Sequence, residues 1–62
     1  MPNVRIDMGE GRTVEQKRLL VEKVTEAVCE AVNTTPERVK ILIFDIPNTN
    51  QASGGKLFVD TR

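Results

Sequence analysis

A ring nitrogen at the start of the chain is the one group among these 62 residues equipped for acid–base chemistry near neutral pH. The chain opens Met1-Pro2, and removal of an initiator methionine before a residue as small as proline leaves Pro2 with a free secondary amine. An α-amino group titrates near pH ~8, and desolvation and nearby cations both lower that value towards the range where a proton acceptor works best at neutral pH. Taken from these two residues alone, Pro2 also has a plainer role, because proline is tolerated at the first residue of a strand and sets its direction. Other reactive types are sparse. There is no His, Cys29 is the only cysteine, and no phosphate-binding glycine loop, nucleophile elbow or Cys/His metal pattern occurs.

The elements that must position this amine follow from periodicity. Pro2 to Met8 alternates, with Val4, Ile6 and Met8 on one side and Asn3, Arg5 and Asp7 on the other, which is a strand with one buried face. Gly9-Glu10-Gly11-Arg12 is a turn. Thr13 and Gln16 fit a capping box, so a helix begins at about Val14 and, with neither proline nor glycine, runs to about Val32. Leu20, Val24, Ala27, Val28, Ala31 and Val32 make its apolar stripe, Arg18 is placed to pair with Glu22, and Cys29 is a small filler at the edge of that stripe. Asn33 suits a left-handed helix end, and Thr35-Pro36-Glu37 opens one short helical turn.

Val39 to Ile46 is nearly all apolar, as in a strand covered on both faces, and a strand, long helix and strand in succession imply a crossover with the strands parallel. Pro47 to Asn50 is a loop. Gly54-Gly55 then turns the chain into a short strand, Lys56 to Val59, that has nothing in its own chain to cover it. The fold class is therefore α+β, a single β-α-β domain over residues 1–62 with a short C-terminal hairpin that packs on a neighbouring subunit.

Size supports that last expectation. A chain this short buries only about 60% of the surface its unfolded form exposes, so it needs staples or partners. One cysteine excludes a disulfide, which leaves association of like chains. Nine basic and nine acidic residues cancel, so nothing draws the protein to nucleic acid or an anionic membrane, and no apolar run is long enough for a span or a signal sequence. A soluble, cytoplasmic homo-oligomer is expected, with no nucleic-acid or membrane partner.

Pro2 opening a strand, Glu10-Gly11-Arg12 running into Thr13-Val14-Glu15-Gln16-Lys17, Pro47 in the loop, and Asn50 leading to Gly54-Gly55-Lys56-Leu57 together resemble the 4-oxalocrotonate tautomerase family of short subunits, from Pro2 to about Asp60 without a gap. The resemblance implies the tautomerase fold, with dimers sharing a four-stranded sheet and commonly three dimers in a hexamer. It implies keto–enol tautomerisation of a 2-oxo or 2-hydroxydienoic acid, with no metal or organic cofactor. Carried over residue by residue, Pro2 is the acid/base and Arg12 the partner of a substrate carboxylate and 2-oxo group. The family's second arginine falls at Lys40, with Arg38 two residues earlier on the same side of a strand; lysine keeps the charge but not the fork. The family's aromatic before the glycine pair falls at Gln51, so an apolar wall beside the proline is replaced by an amide. Lys40, Arg38 and Gln51 are accordingly the candidate substrate-binding residues. A hydratase or dehalogenase of the same superfamily would instead need a carboxylate near Pro2, from Glu10 or Asp7, and a non-catalytic assembly module that kept the fold is a further reading.

Overall fold

Alternating polarity becomes alternating burial along strand β1, Asn3–Gly9: Val4, Ile6 and Met8 are half-buried, while Asn3, Arg5 and Asp7 stay exposed. The computed structural model describes residues 1–62. Pro2 lies just outside the strand. Having no N–H, it joins the ladder only through its carbonyl, which accepts the Lys40 N–H at 3.0 Å.

Helix α1, Val14–Val32, has both of the expected ends. The Gln16 N–H donates to Thr13 Oγ1 at 3.1 Å, and the Thr13 N–H donates to Gln16 Oε1 at 2.9 Å, a complete capping box. Asn33 closes the helix in the left-handed region at φ 55°, ψ 59°. The covered face differs from the expected stripe. Leu20, Val24 and Val28 are half-buried with Lys17, Val21, Thr25 and Cys29, whereas Ala27, Ala31 and Val32 are exposed. Two things differ from the pattern: a helix of 19 residues is about 28 Å long against roughly 23 Å for each seven-residue strand, which accords with the exposure of Ala31 and Val32 at its end, and Ala27 lies off the edge of the arc that runs from Leu20 to Cys29. Arg18 pairs with Glu15, one turn back, and not with Glu22.

A 3₁₀ turn at Pro36–Arg38 leads into β2, Lys40–Ile46, one residue later than expected. β2 lies parallel to β1, in register from Asn3 opposite Lys40 to Gly9 opposite Ile46. Ile41, Ile43 and Ile46 are half-buried, as are Val4, Ile6 and Met8 of β1. Leu42 and Phe44 emerge on the other face, 63% and 40% exposed, so within one chain that face of β2 is covered only at its end, where Ile46 is half-buried. Phe44 there carries the Arg5 guanidinium 4.1 Å above its ring.

After a 3₁₀ turn at Asn48–Asn50, Ala52–Ser53 (β3) and Lys56–Leu57 (β4) form a minimal antiparallel hairpin around Gly54 and Gly55, both at positive φ. The expected strand to Val59 stops at Leu57. The Phe58 N–H still reaches the Gln51 carbonyl at 2.8 Å, but beyond that the opposite segment curls into the 3₁₀ turn and offers no ladder. The backbone satisfies itself by winding into α2, Phe58–Thr61, with the Arg62 N–H donating to the Phe58 carbonyl.

None of the 62 residues is buried. The radius of gyration is 14.8 Å and the extents are 43 × 23 × 13 Å, where a closed globule of this length would have a radius near about 11 Å. The apolar side chains therefore fall short of the ~1.5–3 kcal/mol each that full burial contributes. A lone copy has no interior to hold it.

Candidate active site

The candidate residues divide between the two ends of the β1/β2 ladder. At the start stand Pro2 and Lys40, joined by the bond from the Lys40 amide to the Pro2 carbonyl. Pro2 is half-buried and Lys40 exposed. Arg38 is close in sequence but belongs to the 3₁₀ turn, its N–H held by the Thr35 carbonyl at 3.0 Å. It does not share a strand face with Lys40, which corrects the expectation; Pro36 starts a turn there and the extended backbone resumes only at Val39. A groove of about 220 Å³ lies beside this end, lined by Asn3, Val4, Arg5, Lys40 and Leu42. Arg5 is already engaged by Asp7 at 3.3 Å and by the Phe44 ring.

At the finish stand Arg12 and Gln51. Arg12 is exposed, follows Gly11 at φ +111° and directly precedes the helix cap. Several bonds fix its surroundings. The Glu10 N–H donates to the Ile46 carbonyl at 3.0 Å, and the Asn48 N–H donates to Glu10 Oε2 at 3.1 Å. Gln51 Nε2 donates to the same Ile46 carbonyl at 2.8 Å, with its amide alongside Gly9. Lys17 of α1 pairs with Asp45 of β2. Gln51 thus has one of its two amide N–H groups committed to the backbone and retains the other and Oε1 for further partners. Neither Glu10 nor the Lys17–Asp45 pair is legible as a fastening from sequence, since their partners lie 38 and 28 residues away.

Four of the nine cationic side chains, Arg5, Lys17, Arg18 and Lys23, make ion pairs. Arg12, Arg38 and Lys40 make none, so each can receive an external carboxylate without breaking a bond. Pro2 and Arg12 do not come together within one chain. β1 separates them by seven residues, roughly 23 Å of extended backbone. A nitrogen base and a guanidinium at opposite ends of one strand do not reach the same small molecule within a single chain. Such a pair suits proton transfer on an acid whose enolate charge needs a cation beside it.

Residues 2–61 match the model of the family described as Tautomerase enzyme. A 2-hydroxymuconate tautomerase of Bacillus subtilis is 47% identical over 60 residues, covering 97% of each chain, and one from Comamonas testosteroni is 44% identical over 55 residues, 89% of this chain and 87% of its own. Among solved structures, YwhB, a homologue of 4-oxalocrotonate tautomerase, superposes with a TM-score of 0.89 at 46% identity, covering 95% of this chain and 97% of its own. A heterohexamer 4-oxalocrotonate tautomerase from Chloroflexus aurantiacus gives a TM-score of 0.89 at 32% identity over the whole of both chains. The fold and family match define a tautomerase, an isomerase enzyme. The chain belongs to the tautomerase family, in its short-subunit branch of 4-oxalocrotonate tautomerase type.

Proposed function

We propose that Pro2, once Met1 is removed, is the acid/base of a keto–enol tautomerisation of 2-hydroxydienoic acids, completed by Arg12 of a neighbouring subunit. The Pro2 nitrogen takes the proton of the 2-hydroxyl group, charge spreads over the dienolate, and the same nitrogen returns the proton to carbon to leave the 2-oxo acid. Atoms balance without a cofactor. Arg12 binds the adjacent carboxylate and the oxygen on which charge develops, as a planar fork suits. Lys40, with Arg38 beside it, offers a second cationic contact of looser geometry. Gln51 supplies a polar wall through Oε1.

The observation that carries this reading is the strand-length separation of Pro2 from Arg12, which makes a shared site a property of the assembly. The match to the family begins at Pro2, and two similar proteins are named for 2-hydroxymuconate, a dicarboxylate dienol that both sets of cations would suit. A similar structure is a heterohexamer, and a homohexamer of this chain would close the open face of its sheet. The hydratase or dehalogenase reading is weaker, because the Asp7 carboxylate is engaged by Arg5 and that of Glu10 by the Asn48 amide.

Mixing two inactive variants tests it. Pro2→Ala and Arg12→Ala chains should each have little tautomerase turnover. Unfolded together and reassembled, they should recover roughly a quarter of wild-type activity, because random pairing in a symmetric oligomer rebuilds that share of sites from one intact Pro2 and one intact Arg12. No recovery from properly assembled mixtures would place both groups in one chain and overturn the model. Intact mass of the wild-type protein checks that Met1 is absent.

A further inference from the structure

We propose that Glu10 is a positioning residue that holds Arg12 through the Asn48 amide, a role that rests on Arg12 being the substrate-binding cation. The 3₁₀ turn at Asn48–Asn50 begins after Pro47, whose side chain cannot cap it, so the first amides of that turn need an acceptor from elsewhere. Glu10 Oε2 supplies one from 38 residues away, at 3.1 Å. The charge on the acceptor makes this a stronger bond than one between neutral groups. Glu10 also donates its own N–H to the Ile46 carbonyl at 3.0 Å. Its two bonds therefore straddle Pro47 and tie the β1 turn to the loop after β2.

Arg12 stands between this fastening and another. On one side is Glu10, separated only by Gly11, whose φ of +111° is open to glycine and strained for other residues. On the other side is Thr13, locked into the capping box by bonds of 2.9 and 3.1 Å. Arg12 has no ion pair of its own, so the placement of its backbone, from which the side chain starts, rests on these two anchors. Releasing the Glu10 carboxylate leaves the turn held by the Glu10 N–H alone and so loosens the Gly11 hinge that carries Arg12. The Glu10 carboxylate is a brace and not a water-activating base.

Two substitutions remove the bond from opposite sides. Glu10→Ala deletes the acceptor. Asn48→Pro deletes the donor at the first position of a 3₁₀ turn, where proline fits, and Pro47 at φ −68°, ψ 155° already has the conformation that precedes a proline. Each should lower kcat/KM for a 2-hydroxydienoic acid by about tenfold, the scale of a small misplacement of a binding group. Glu10→Gln, which keeps an acceptor oxygen, should restore most of the loss. Neither Glu10→Ala nor Asn48→Pro should reduce activity further when Arg12→Ala is already present. Wild-type activity in both single variants, with Arg12→Ala impaired, would overturn the brace and leave the Arg12 assignment standing. A tenfold loss that persists undiminished beside Arg12→Ala would show a purely structural role and overturn it too. An Arg12→Ala enzyme with full activity would take down both.

Discussion

The two ends of the β1/β2 ladder are built in opposite ways. Where the ladder starts, a single backbone bond from Lys40 to Pro2 holds the chain, and an open groove lies alongside. Where it finishes, side chains from four segments are tied together: Glu10 to Asn48, Gln51 to Ile46, Lys17 to Asp45 and Thr13 to Gln16. The difference matches the demands of the two jobs proposed for them. A base must stay free of hydrogen bonds to its nitrogen, since any donor there would occupy the lone pair that takes the proton. An orienting guanidinium gains from rigidity, because a fork misplaced by a fraction of its length loses one of its two bonds to a carboxylate.

The comparison breaks most easily at the sparse end. Pro2→Ala keeps the carbonyl that Lys40 binds and leaves a primary amine in place of the ring nitrogen, so circular dichroism and assembly should match the wild type while tautomerase turnover falls, by at most the about 10²–10⁴ that a positioned base contributes. Equal turnover in the two proteins would remove Pro2 from the chemistry. At the braced end, Gly11→Ala forces a side chain into a backbone region that costs about 1–3 kcal/mol. Both the thermal midpoint and kcat/KM should fall, and a fall in the midpoint alone would show that Arg12 does not depend on that turn. The smallest effect is expected from Thr13→Ala, which removes one half of the capping box at about 1 kcal/mol of stability, read by chemical denaturation, with little change in turnover while Glu10 still braces the turn.

Local chemistry made α1 legible at both ends, since a Thr and a Gln three apart and an Asn in the left-handed region act within a single turn of backbone. The two strands were equally readable from their apolar pattern, to within a residue at their ends. What escaped detection was the product of tertiary geometry. Which residues α1 covers depends on how far the sheet extends beneath it, so Ala31 and Val32 look like core in the pattern and stand in the open within the chain. Phe58 and Val59 are apolar enough for a strand, yet β3 is too short to pair with them. In the candidate site, Pro2 stood out by its type and Arg12 only through the family resemblance, whereas the bond between Glu10 and Asn48 had no local signal, because no local rule links a glutamate to an amide 38 positions later.

Met1 is 79% exposed and lies outside the ladder, which begins at the carbonyl of the residue after it. Trimming it therefore leaves the folded scaffold untouched while converting the Pro2 nitrogen from an inert amide into an amine. If the Pro2 amine is the base proposed above, shape and competence are set by separate events, and an untrimmed chain would keep its fold while losing its turnover.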